Sequence, residues 1–170
     1  MRLFIALPLS DELRRVLLDV QRDMRAQGAR ANFSREENFH LTLAFLGEVE
    51  GEKVRSAQEA VLSLDGKGFP LTLDKIGNFG NLYWAGLRKS PPLEALAARV
   101  RRGLDQRGLD YDRKPFRAHI TLARQVQAPA PFRIEPPPAQ MTAERVVLMC
   151  SERIDGVLTY MPVTERRLNG

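Results

Sequence analysis

Two periods of apolar residues alternate along this chain and divide it into short strands and amphipathic helices. Residues 3–7 form an unbroken apolar run of strand length, and 11–27 carry Leu13, Val16, Leu17 and Val20 at helical spacing, with Ser10 placed to cap the start and Gly28 to end it. A second apolar strand is predicted over 39–46, closed by Gly47, and a second helix over 52–64 with Val54, Ala57, Val61 and Leu64 on one side. Residues 69–76 and 82–87 read as a hairpin around the turn-rich Gly77-Asn78-Phe79-Gly80-Asn81. Pro91-Pro92 opens a third helix that ends between 103 and 106, with Leu93, Leu96, Ala97, Val100 and Leu104 inward.

A strand over 116–123 follows. The stretch 125–139, with Pro129, Pro131, Pro136, Pro137 and Pro138, is predicted to be an extended surface connection. Two strands, 143–154 and 157–168, close the chain around the turn Asp155-Gly156. Helices and hairpins are mixed instead of repeating as strand, helix, strand, so the pattern predicts an α+β fold with mixed or antiparallel sheets, not a doubly wound parallel one. The 170 residues suit one domain, or two small lobes sharing a core.

Composition narrows the chemistry. Cys150 is the single cysteine, which excludes an internal disulfide and argues against a cysteine-ligated metal centre. Pro8, Ser10, Asp11 and Glu12 cut short the first apolar run, and no stretch approaches the ~20 apolar residues of a membrane span. The expectation is a soluble, cytoplasmic protein with no membrane partner. Lysine and arginine number 26 against 21 acidic residues, a net charge of +5 that favours a polyanionic partner without demonstrating one. Arg99, Arg101, Arg102 and Arg107 fall on the third helix and read as its solvated face.

Only two histidines are present, and each opens the same local sequence: His40-Leu41-Thr42-Leu43-Ala44 and His119-Ile120-Thr121-Leu122-Ala123. On a strand, side chains alternate between faces, so each histidine shares a face with the threonine two residues on, while the aliphatic residues point into the core. One such pair would mean little. Two matched pairs, brought together, would set two imidazoles and two hydroxyls around one small centre.

A strained cyclic phosphodiester is a centre of that kind. Water must enter on one side of phosphorus while an alkoxide leaves from the other and takes a proton, so one histidine serves as base and the other as acid. Imidazole ionises near pH 6.5, and both forms coexist near neutrality. The threonine hydroxyls can donate to the non-bridging oxygens. Metal ligation is the weaker reading, because no carboxylate stands at ligand spacing and threonine is a poor zinc ligand. Cys150, within an apolar strand, reads as a buried structural thiol, not a nucleophile.

These residues resemble the two-histidine (2H) phosphoesterases, and within them the RNA 2′,3′-cyclic phosphodiesterases historically called 2′-5′ RNA ligases. The likeness covers nearly the whole chain: Arg2-Leu3-Phe4-Ile5-Ala6-Leu7, the run from Glu37 to Gly47, the run from Pro115 to Arg124, and Ser151 to Gly156 with Tyr160. It implies a single bilobal domain over 1–170, with two pseudo-symmetric lobes, helices outside and a cleft between. It further implies that His40 donates a proton to the departing 3′ oxygen and His119 accepts one from water, yielding a 2′-phosphate. Thr42, Thr121 and Arg124 would hold the phosphate, with no cofactor and no metal. The implied partner is an RNA bearing a 2′,3′-cyclic phosphate end, acted on by a monomer. Run in the other direction, the same acid–base pair would make a 2′-5′ linkage.

Three points stay open. Strict alternation places Arg124 opposite His119 and Thr121, so either the strand ends or bulges after Leu122 or the arginine belongs to the surface. Ala118 stands where the family often has proline. Tyr83 and Trp84 could stack on bases, yet as neighbours on a strand at most one faces the cleft, and core packing is the default for both. The competing functions are a non-catalytic RNA or nucleotide-binding module on the same scaffold, and a cyclic phosphodiesterase acting on another small nucleotide.

Overall fold

A computed structural model describes residues 1–129 and 133–169. The chain opens with strand β1 (Arg2–Pro8) and helix α1 (Asp11–Ala26), followed by β2 (Arg30–Phe33), β3 (His40–Glu48) and α2 (Glu52–Leu62). The hairpin β4 (Phe69–Phe79) and β5 (Leu82–Leu87) leads to α3 (Pro91–Gln106) and β6 (His119–Gln127). Strands β7 (Gln140–Ala143), β8 (Arg145–Ile154) and β9 (Val157–Arg167) complete it. The fold is α+β, with two antiparallel sheets ordered β3-β1-β8-β9 and β2-β6-β5-β4-β7.

Local chemistry explains the helix limits. The Ser10 hydroxyl accepts from the Leu13 amide at 3.2 Å and the Ser90 hydroxyl from the Leu93 amide at 3.3 Å, each cap contributing about 1 kcal/mol. Pro91 and Pro92 occupy the first turn of α3, where no backbone N–H donor is needed. Helix α1 packs on β6 and β7 of the second sheet, whereas α2 lies on β8 and β9 and α3 on β3 of the first. The inward residues Leu13, Leu17, Val20, Leu93, Leu96, Ala97, Val100 and Leu104 all join one continuous core.

Several boundaries differ from the sequence pattern. Strand β4 runs on to Phe79, so the β4–β5 turn is tighter than 77–81, and a glycine is required at 77 because the Trp84 ring lies where a Cβ would be. Strand β6 begins at His119 instead of 116 and continues to Gln127, three residues into the predicted connection. Pro131 of that connection lies outside the described residues. The strand predicted over 143–154 is β8 from Arg145, while Ala143 ends a separate strand, β7, parted from it at Glu144. β2 and β7, each four residues with polar exposed positions, carry too short an apolar alternation to be read locally. The Asp155-Gly156 turn has φ of +52° and +78°, the conformation that a two-residue hairpin turn of this type demands.

Candidate active site

The histidine strands lie one in each sheet, β3 at an edge and β6 between β2 and β5, and they approach each other across the interface between the sheets. Leu41, Leu43 and Ala44 are buried on one side, as are Ile120, Leu122 and Ala123 on the other. Their polar partners line a shared cleft of about 1240 Å³ that holds His40, Thr42, His119, Thr121 and Arg124 together with Phe4, Phe45 and Tyr160. All five residues singled out in the sequence therefore meet in one place.

Arg124 reaches the cleft because β6 bulges. Tyr83 pairs with Ala123 and Trp84 with Thr121, so Leu122 is an extra residue relative to β5 and the side-chain alternation slips by one. Ala123 turns to the core, and Arg124 returns to the face of Thr121. A buried glutamine fixes this kink: the Gln21 side-chain amide on α1 donates to the Leu122 carbonyl at 3.0 Å and to the Ser34 carbonyl at 2.8 Å. The Ser34 amide donates to the same Leu122 carbonyl at 2.9 Å. Gln21 is the buried polar residue of the core among the described residues, and its only trace in the sequence is a polar residue on the apolar stripe of α1.

β3 carries the same device. Ile5 pairs with Ala44 and Ala6 with Thr42, which makes Leu43 the extra residue and returns Phe45 to the cleft face. Phe45 is thus the positional counterpart of Arg124, each the fifth residue after its histidine. The alternation also settles the aromatic neighbours. Trp84 shares the face of Thr121, while Tyr83 packs against the core.

Each imidazole is anchored identically. Nδ1 of His40 lies 2.7 Å from the Asn38 carbonyl, and Nδ1 of His119 lies 2.7 Å from the Arg117 carbonyl. A carbonyl only accepts, so Nδ1 carries a hydrogen in both rings and Nε2 is the atom whose proton comes and goes. Nε2 of His40 is 2.9 Å from the Thr42 hydroxyl. Asn38, which supplies the carbonyl for His40, is itself tied to β9 through its side-chain amide and the Leu158 carbonyl at 3.0 Å.

The surroundings of the two rings differ. His40 stands between Phe4, at 4.8 Å centroid to centroid, and the edge-on ring of Tyr160 at 5.1 Å. Burial pushes the His40 pKa below its ordinary value and the positive charges of His119 and Arg124 push it further, against the opposing bond to Asn38. Burial raises the Tyr160 phenol, while Arg124 and Arg2 pull it down. Burial likewise raises the Cys150 thiol, which keeps it protonated and unsuited to attack. Among the described residues no group of three or more His, Cys, Asp or Glu could hold a metal ion.

The family model for LigT-like phosphoesterases matches residues 7–85 and again 86–159. The chain belongs to the LigT-like phosphoesterase family. A curated relative from Escherichia coli K12 named RNA 2′,3′-cyclic phosphodiesterase is 36% identical over 129 residues, 72% of this chain and 71% of the relative. A relative of the same name from Geobacillus stearothermophilus is 34% identical over 139 residues, 78% of this chain but 44% of that protein, so the chain spans less than half the length of that relative. The crystal structure of apo LigT from E. coli superposes with a TM-score of 0.85 at 30% identity, covering 99% of this chain and 98% of that one. The two matched segments meet within β5, giving one histidine unit to each. Among the described residues no helix is long and apolar enough to cross a membrane.

Proposed function

We propose that this chain hydrolyses RNA 2′,3′-cyclic phosphate ends to 2′-phosphates by metal-independent acid–base catalysis, with residues 1–170 working as one bilobal domain. The observation that carries the reading is the pair of His–Thr units, each with Nδ1 spent on a backbone carbonyl and Nε2 left for chemistry, lining one cleft. Nε2 of His119 takes the proton of the attacking water as its oxygen bonds to phosphorus. Nε2–H of His40 delivers its proton to O3′ as the P–O3′ bond breaks. Thr42, Thr121 and Arg124 hold the non-bridging oxygens, where charge is greatest in the transition state, and the guanidinium suits bidentate contact with them. Phe45 offers the terminal base an apolar face.

The lowered pKa of His40 belongs to the empty cleft. A cyclic phosphate brings a negative charge beside Nε2 that counters the burial and the repulsion from Arg124 which lower the pKa, so substrate binding favours the protonated acid. Both histidine units come from one chain, which is why a monomer suffices. The curated relatives are named for an RNA substrate, and an enzyme of RNA ends with one buried cysteine fits the cytoplasm. The test is to incubate the protein with an oligonucleotide ending in a 2′,3′-cyclic phosphate, with EDTA present. Conversion to a 2′-phosphate is expected. A 3′-phosphate would reverse the leaving-group assignment, and an unchanged end would leave a binding module.

A further inference from the structure

Two phenylalanines are largely exposed among the described residues, Phe45 at 36% and Phe79 at 43%. The first lies in the cleft. Phe79, at the tip of the β4–β5 hairpin, stands outside the cleft wall but beside His119, with ring centroids 5.8 Å apart and planes at 77°. Behind it lies Trp84, at 5.1 Å and 45°, whose own ring rests over Gly77 and Gly86. The guanidinium of Arg117 sits 5.7 Å from the Phe79 centroid, and among the described residues Arg117 has no carboxylate partner.

An apolar ring left in water, backed by a second aromatic and flanked by an unpaired cation, has the components that hold single-stranded bases: a π face for stacking and a positive charge for the adjoining phosphate. We propose that Phe79 and Arg117 form a second nucleobase subsite, which takes the base of the nucleotide preceding the cyclic phosphate and makes the protein prefer RNA ends to cyclic mononucleotides. The proposal rests on the function assigned above. A 2′,3′-cyclic phosphate occupies both lower oxygens of the last ribose, so the strand continues only from its 5′ oxygen and a second base near the site belongs to the upstream nucleotide. The cleft, about 1240 Å³, exceeds the usual ~300–1,000 Å³ of a small-molecule pocket and leaves room for that strand to pass.

The experiment compares kcat/KM for adenosine 2′,3′-cyclic phosphate with that for a trinucleotide carrying the same end. The wild-type protein should favour the trinucleotide. Phe79→Ala should lower the trinucleotide value about tenfold, mainly through KM, and change the mononucleotide value by less than about twofold. Phe79→Trp should restore the preference, and Arg117→Gln should weaken it. Equal loss on both substrates would overturn the proposal by showing that the ring serves His119, and no loss on either would overturn it outright. Affinities for 2′-AMP and for the trinucleotide 2′-phosphate give the same contrast without turnover. Binding that Phe79→Ala weakens for the trinucleotide alone, in a protein that cleaves neither substrate, would uphold the subsite and sink the catalytic reading by itself.

Discussion

The two histidine strands share a backbone and differ in what surrounds it. Both run His-x-Thr-Leu-Ala, both bulge at the second aliphatic residue, and both bind the Nδ1 hydrogen to the carbonyl two residues back. Yet His40 is enclosed between Phe4 and Tyr160, while His119 has Phe79 edge-on at the open side. The fifth residue after each histidine is an aromatic ring in one strand and a cation in the other. Duplication therefore supplies two imidazoles held in the same way, and in the proposed mechanism the side chains around them divide the work between acid and base. An acid and a base need the same aim at phosphorus but different electrostatic settings.

Removing either imidazole should break the comparison most severely. His40→Ala and His119→Ala are each expected to lower kcat about 10²- to 10⁴-fold on the cyclic-phosphate oligonucleotide. Their double variant should lose little more than the worse single one, because the pair acts as a unit. The fifth positions come next: Arg124→Ala should cost about 10²-fold in kcat, with Arg124→Lys recovering only part because an ammonium cannot make the bidentate contact. Phe45→Ala should act mainly on KM. A larger kcat defect for Phe45→Ala than for Arg124→Ala would reverse the proposed division.

Gln21→Leu tests the kink instead of the chemistry. It removes a buried hydrogen bond to Leu122 at the bulge of β6 and a half-buried one to Ser34 beside it, so unfolding stability should fall by about 1–2 kcal/mol and kcat should drop while His119 keeps its bond to Arg117. Unchanged kcat in a destabilised protein would mean that Arg124 does not depend on the bulge being held.

The smallest effect separates the two rings by titration. With only two histidines, proton NMR can follow each imidazole. His40 should titrate below 6.5 in the free protein and move upward when 2′-AMP fills the cleft. Because its folded pKa lies below the unfolded value near 6.5, the unfolded chain takes up the proton first as pH falls. That contribution to stability is complete above about pH 6.5 and declines as pH drops toward the folded pKa, a decline that His40→Asn should reduce in denaturant titrations.

Much of this was legible before any coordinates. The helices followed from capping residues and apolar spacing, the Asp155-Gly156 hairpin from its turn chemistry, and the site from one repeated motif. Short edge strands were not, because β2 and β7 exist only through partners distant in sequence, such as β6 for Arg30–Phe33. Arg124 could not be placed because a bulge is a property of two strands in register. Gln21 had no local signal of its role, since the carbonyls it serves lie 13 and 101 residues away.

The sequence by itself determined the groups proposed to react. Their identity, their duplication and the pairing of each histidine with a threonine are covalent facts read through a period of two. Only the tertiary structure decided the asymmetry between them, because burial of His40, the return of Arg124 and Phe45 to the cleft, and the placing of Phe79 beside His119 depend on which strands pair and where the register slips. Alternation is a local rule of the backbone, whereas the electrostatic setting of an imidazole sums over everything packed around it.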